Sequence, residues 1–296
     1  MEDLRIGIVV LNYMNWELTE ECVDNILALN GALKVVVIDN GSANDSFEKL
    51  LMHYKENDSV VVINAKVNCG YASGNNIGLK YICEKYPTIQ YLGIVNPDVI
   101  IENYDVLLKL IDALEKDSNL AAISPKMNLN GEINPNEFAW NVPNNIEVFS
   151  QHFACYKAKK SGWKHIAEHG IYKCEAVPGS FFMIKKEILE AIDFLDENTF
   201  LYNEENILAI KVKCLGKYNG ICLDCQYLHL HKNDGVRKSL KAVMAGYKAG
   251  DQSRLYMCKK YYPKWSYVCL LAICVINKPI IVVRHLLGNI KHKLIG

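Results

Sequence analysis

The sequence predicts an α/β fold in which a mostly parallel, doubly wound sheet is flanked by helices. Three observations point there. Short apolar runs alternate with segments of helical spacing from residue 6 to residue 124, the βαβ rhythm of parallel sheets. The runs are apolar on both faces, as strands covered on both sides must be. Asn, Asp and Gly collect directly after them, where open α/β sheets place their ligand crevice.

The elements follow in order. Ile6–Leu11 is a continuous apolar strand, and Trp16–Leu29 has helical spacing. Lys34–Asp39 is the second strand. Asp45 precedes Glu48 by three residues, a capping-box-like start for a helix through Lys55. Val60–Asn64 is the third strand and Asn75–Lys85 a helix. Tyr91–Asn96 is the fourth strand, stopped by Pro97. Tyr104–Lys116 reads as helix and Leu120–Ser124 as strand. Periodicity is lost from Asn128 to about Gly170, and long irregular stretches in compact domains are often binding loops. Strand-like Tyr172–Val177 and Phe181–Ile184, helices from Lys186 and from near Glu204, and a strand over Asn219–Leu223 complete the body.

Half of the 296 residues are hydrophobic and 22% are charged, so a sizeable core can form. The formal net charge is zero, but it is unevenly spread. Beyond Asp251 there is no acid, while Arg254, Lys259, Lys260, Lys264, Lys278, Arg284, Lys291 and Lys293 are basic. A basic tail on an acidic body suggests an anionic surface as the tail's partner. Nothing in the composition points to nucleic acid. The eleven cysteines follow no framework spacing, and Met1–Arg5 runs straight into a strand; the expectation is free thiols in a reducing cytosol. The C-x-x-C of Cys222 and Cys225 lacks a second pair and lies in a strand-like segment, so a structural role is expected.

Polar residues gather at four strand ends: Leu11-Asn12-Tyr13, Asp39-Asn40-Gly41-Ser42, the run Asn68 to Asn76, and Asn96-Pro97-Asp98. Each alone reads as turn chemistry. Four on one rim of a parallel sheet read better as a nucleotide crevice. Together with GSFFMIKKE (Gly179–Glu187) and FLYNEEN (Phe200–Asn206), the segments VVLNY, VIDNGSAND, NCGYASGNN and NPDV stand in an order and spacing that resembles a family-2, GT-A fold glycosyltransferase. The resemblance is to the bacterial polysaccharide and rhamnosyltransferase-like type, and it covers residues 5–235.

That resemblance implies roles position by position. Leu11, Asn12 and Tyr13 would line the base pocket, and Asp39 would accept from the imide of uracil or thymine. Asn68, Gly70, Gly74 and Asn75 would border ribose and diphosphate, glycines letting backbone amides approach phosphate. Asp98 would be the last acid of a D-x-D motif whose first acid is here Asn96, holding Mn²⁺ or Mg²⁺ through oxygen. Glu205, next to Glu204, would be the general base of an inverting displacement. Ile207 and Lys211 stand where the family often has Asp and Arg. His231 first, and His229 second, would reach the metal or diphosphate. Gly179 and Ser180 would position donor or acceptor, and Trp140, Trp163 and Tyr172 are candidates to stack on acceptor sugars.

The implied organisation is a transferase domain over 1–235, with a nucleotide-binding half at 1–127 and an acceptor and catalytic half at 128–235, then a basic amphipathic helical region over 236–296. The donor would be a UDP- or dTDP-sugar, and the acceptor a saccharide or lipid-linked saccharide, as in capsule or O-antigen assembly. In the tail, Ser266–Ile276 and Ile280–Leu287 are each too short to span a bilayer, and Asn277-Lys278-Pro279 divides them. They suit an interfacial helix on the inner face of the plasma membrane, or else a dimer interface or a helix packed on the core. A nicotinamide dehydrogenase is disfavoured because Asn12-Tyr13-Met14-Asn15 stands where G-x-G-x-x-G belongs. A catalytically silent sugar-nucleotide-binding scaffold and a nucleotidyltransferase are the remaining alternatives.

Overall fold

In the computed structural model, residues 4–133, 138–156, 170–230 and 239–295 are described, with side chains up to Leu287. The chain forms two compact units: Met1–Val142, Gly162–Phe200 and Glu204–Lys232 in the first, and Pro143–Ser161, Leu201–Asn203 and Asn233–Gly296 in the second.

The first unit is built on one mixed sheet. Its strands are β1 (Ile6–Asn12), β2 (Leu33–Asp39), β3 (Val60–Asn64), β4 (Tyr91–Val95), β5 (Val99–Ile100), β6 (Leu120–Leu129), β7 (Ile171–Cys174), β8 (Phe181–Lys185) and β9 (Tyr218–His229). They lie in the order β3-β2-β1-β4-β8-β6-β9-β5, with β7 on β9. The first four pair in parallel. The sheet then reverses at β8, which is antiparallel to both β4 and β6, and β9 runs parallel to β6. The apolar runs of β1, β2 and β4 are buried along almost their whole length, as the both-faces pattern requires.

The helices of this unit are α1 (Trp16–Ala28), α2 (Ser46–Tyr54), α3 (Tyr71–Lys85), α4 (Tyr104–Lys116), α6 (Lys186–Ala191) and α7 (Glu204–Cys214). α3 begins four residues before the predicted Asn75, inside the polar run. Its Gly78 lies where a Cβ would stand 2.7 Å from Val9 Cγ1, so the bare Cα lets this helix seat on the sheet. The predicted capping box of α2 is not made. Asp45 is at the N-cap without a side-chain bond, and Asn44 Oδ1 instead accepts from Ser46 Oγ at 2.7 Å. β9 is longer than predicted because a register shift opposite Pro125 and Lys126 carries Cys222 to Gln226 across an irregularity. The pair Cys222 and Cys225 lies on it, buried in the core.

The second unit contains α5 (Glu147–Ser150), α8 (Leu240–Tyr261) and α9 (Lys264–Ile295). Here the sequence reading is corrected: the two apolar tail runs form one helix that continues through Pro279. Packing explains it. Leu270, Cys274 and Ile281, on both sides of the proline, are buried, and α9 lies against α8 and α5. Asn277 is also buried, donating to His152 O and accepting from Ala154 N, both at 2.8 Å. Among the described residues one helix, Lys264–Leu287, is long and apolar enough to cross a membrane by length and composition.

The seat of α3 is directly testable. Gly78→Ala is expected to cost about 1–3 kcal/mol through overpacking against Val9, read as a lower urea midpoint with an unchanged m-value.

Candidate functional site

Strand directions alone assemble the site. With β1 to β4 parallel, Asn12, Asp39 and Asn96 end on one rim. β8 runs the other way and pairs Phe181 with Val95, so Gly179 and Ser180 enter the sheet at that rim. β9 leaves there, and β5 pairs Val99 with His229.

The first strand ends are locked together. Asn12 and Asp39 have no exposed surface. Asp39 accepts from Asn12 Nδ2 at 2.7 Å and from the Ser42 amide at 3.0 Å, while Asn12 Oδ1 accepts from Thr19 at 2.8 Å. Both polar side chains are therefore turned into the protein. They shape the floor of the rim. Tyr13, half exposed, and Leu11, partly buried, remain beside it.

Asn40, named at its strand end but given no role of its own by the sequence, organises the next loop. Its amide donates to Asn68 Oδ1 and to Gly70 O, both at 3.2 Å, and its carbonyl oxygen accepts from the Cys69 amide at 3.2 Å. Asn68 Oδ1 also accepts from the Gly70 amide at 3.0 Å. Gly70 has φ +87°, and a Cβ there would meet Phe200 O at 2.4 Å; only glycine fits. Gly74 serves packing, since a Cβ would stand 2.6 Å from Leu11 Cδ1. Asn75 is fully buried and donates to Tyr71 O at 3.0 Å. That bond holds the first turn of α3.

At the centre of the rim, Asp98 Oδ1 lies 3.2 Å from His229 Nε2. The chain is held there by Leu230 N donating to Asp98 O at 2.8 Å, and by Asn96 N donating to Ser180 O at 2.8 Å. Ser180 is buried and its hydroxyl shares a hydrogen bond with Tyr227 at 2.6 Å. Two neighbouring ligands of an octahedral ion, each about 2.1 Å from it, are ~3 Å apart. The Asp98–His229 separation suits that, and a carboxylate oxygen with an imidazole nitrogen suits divalent cations of intermediate hardness. His231 lies outside the described residues, as does Trp163.

Glu204 and Glu205 open α7, where the helix dipole favours acids. Glu204 is buried. The Glu205 carboxyl lies against Gly179, where an added Cβ would be 2.7 Å from Oε1. Burial pushes this carboxyl above the usual carboxylate range, partly offset by its own amide and by the Gly179 amide donating to it. Ile207 is fully buried core. Lys211 donates to Phe194 O at 2.6 Å, pinning a turn in which Asp193 and Phe194 both have positive φ. Trp140 donates from Nε1 to Asn206 Oδ1 at 2.9 Å, next to Glu205. Tyr172 pairs with Ile221 on the far part of β9, on the order of 20 Å of strand from His229, so it is not part of this rim.

The chain resembles known proteins in sequence and in fold. The family profile described as Glycosyl transferase family 2 matches residues 6–193. The chain is 26% identical over 234 residues to the low-salt glycan biosynthesis hexosyltransferase Agl10 of Haloferax volcanii, covering 78% of this chain and 69% of that protein. It is 26% identical over 119 residues to the poly-beta-1,6-N-acetyl-D-glucosamine synthase of Staphylococcus aureus, spanning 40% of this chain and 27% of the synthase. Among solved structures, GalNAc-T7 with UDP, GalNAc and Mn²⁺ superposes with a TM-score of 0.63 at 15% identity, over 86% of this chain and 48% of that one. The mannosyltransferase PcManGT of Pyrobaculum calidifontis, with GDP-Man and Mn²⁺, gives 0.58 at 14%, over 96% and 79%.

The Asn12–Asp39 lock predicts a stability effect. Asn12→Leu deprives a buried carboxylate of one donor and is expected to cost about 2 kcal/mol, measured by chemical denaturation at neutral pH.

Proposed function

The chain belongs to glycosyl transferase family 2, and we propose that it moves a sugar from a UDP- or dTDP-sugar to a saccharide acceptor with inversion, using Glu205 as general base. The supporting observation is the Glu205 carboxyl: at the head of α7, half-buried and packed against Gly179, with its pKa raised by desolvation. A carboxylate tuned upward is a better proton acceptor at neutral pH than an ordinary one. It would take the proton of the acceptor hydroxyl as that oxygen attacks the anomeric carbon from the face opposite the nucleotide. Bond formation to the acceptor oxygen and departure of the nucleoside diphosphate balance in one displacement, which inverts the centre.

Asp98 and His229 would hold a divalent cation, Mn²⁺ or Mg²⁺, with the diphosphate oxygens and solvent supplying the remaining ligands. When bound, such an ion neutralises charge on the departing diphosphate. The loop held by Asn40 and Asn68 would carry the diphosphate side of the donor, and Trp140, bonded to Asn206, would meet the acceptor.

The acceptor is proposed to be lipid-linked, with the protein peripheral on the inner face of the plasma membrane. The supporting feature is α9. One face is packed within its own unit, while Trp265, Val268, Leu271, Val275, Ile276, Val283, Leu286 and Leu287 are exposed. Lys264, Lys278 and Arg284 lie among them. An exposed apolar stripe with basic residues suits an interface rich in anionic lipid.

Calorimetry, turnover, melting and sedimentation test this reading. Calorimetry with UDP and dTDP, with and without Mn²⁺, should show metal-dependent binding of one nucleotide, weakened roughly 10- to 100-fold in Asp98→Ala; equal binding in the mutant would remove Asp98 from the site. Glu205→Gln should lower kcat on the order of 10²- to 10⁴-fold, and the wild-type rate should fall with acid through a pKa above the usual carboxylate range. A carboxyl whose folded pKa is raised loses stability as pH rises through that value, so the same inactive variant should melt higher than wild type at neutral pH. Removing residues after Tyr262 should abolish sedimentation with phosphatidylserine-containing vesicles; unchanged partition would sink the membrane assignment.

A further inference from the structure

Tyr71 makes contacts in three directions at the first residue of α3. Its amide donates to Phe200 O at 2.9 Å. Its carbonyl accepts from Asn75 at 3.0 Å. Its hydroxyl donates to Gly179 O at 2.5 Å. Gly179 is the residue whose amide donates to the Glu205 carboxyl, and whose missing side chain makes room for it. The loop from Asn68 to Gly70, immediately before Tyr71, is the one organised by Asn40. A single side chain therefore connects that loop to the backbone seat of Glu205.

We infer that Tyr71 is a positioning residue for the reaction: its hydroxyl fixes Gly179, and through Gly179 it sets the place of the Glu205 carboxyl according to the state of the 68–70 loop. The inference rests on the reading of Glu205 as the base. A packing role alone would need only the ring. The hydroxyl adds a bond to a residue just before β8, on a different element from α3. The charged or titratable groups acting on the Tyr71 phenol are Glu205, Glu204 and Tyr227. The Tyr71 phenol is itself held neutral by burial first, and then by the two glutamates, so it stays a donor across the working pH range.

Tyr71→Phe removes one oxygen and keeps the ring. With the Gly179 tether gone, the amide bond to Glu205 weakens and the carboxyl pKa rises further. The test is a titration of the ¹³C-labelled glutamate side chains by NMR in the full chain, with the Glu205 signal assigned from its loss in Glu205→Gln, and with melting curves showing both variants folded. The expected result is a higher Glu205 midpoint in Tyr71→Phe than in wild type. In turnover, kcat should fall on the order of 10- to 100-fold from misplacement of the base, with the KM for donor little changed. An unchanged midpoint overturns the inference. The two readings fail separately: if Glu205→Gln transfers sugar at the wild-type rate, Glu205 is not the base, whereas the Tyr71→Phe midpoint still reports whether Tyr71 sets this carboxyl.

Discussion

Asp39 is a charged group with no exposed surface, and much of the rim is arranged around satisfying it. An unpaired buried carboxylate would cost several kcal/mol. The Asn12 amide and the Ser42 backbone supply its donors, and Asn12 is turned toward it by Thr19 at the start of α1. Those bonds fix the ends of β1 and β2 in register with each other. Asn40, the next residue, is then delivered to the loop at 68–70. The loop's geometry is thus inherited from a carboxylate that touches no solvent.

The second half of the rim is set by strand direction. β8 enters where β4 leaves, so Gly179 and Ser180 stand beside Asn96. β9 leaves where β5 enters, which puts His229 against Asp98. Neither meeting requires a long loop or a flexible side chain. Side chains carried at strand ends are held by the ladder hydrogen bonds themselves, and rigid support of this kind is what a site needs when placement within half an ångström matters.

Much of this was legible in the sequence because the physics was local. β1, β2 and β4 announce themselves by apolar residues on both faces. Rim residues follow from their positions at strand ends, and the transferase family from the ordered motifs. What was not legible depended on orientation or on distant partners. Nothing in the sequence says that Asp39 and Asn75 point inward, or that Asn40 would matter more to the loop than its neighbours. The full length of β9 is hidden by polar Asp224 and Gln226 at its irregularity. The continuity of α9 is hidden by Pro279: the local rule against proline in a helix is overridden by burial of Leu270, Cys274 and Ile281 around it.

The strand order has a consequence for how the chain is made. β1 to β4 belong together in space and arrive early from the ribosome, so their parallel core can pair while synthesis continues. β5 and the outer edge of β6 cannot. Both wait for β9, which joins them from far along the chain, and until then they present unpaired strand edges that invite association between nascent chains. The pair His229 and Asp98 is completed in that same late event. Sheet closure and assembly of the rim are thus one step in the life of the chain, and a molecule stalled before β9 would be both sticky and without its complete site.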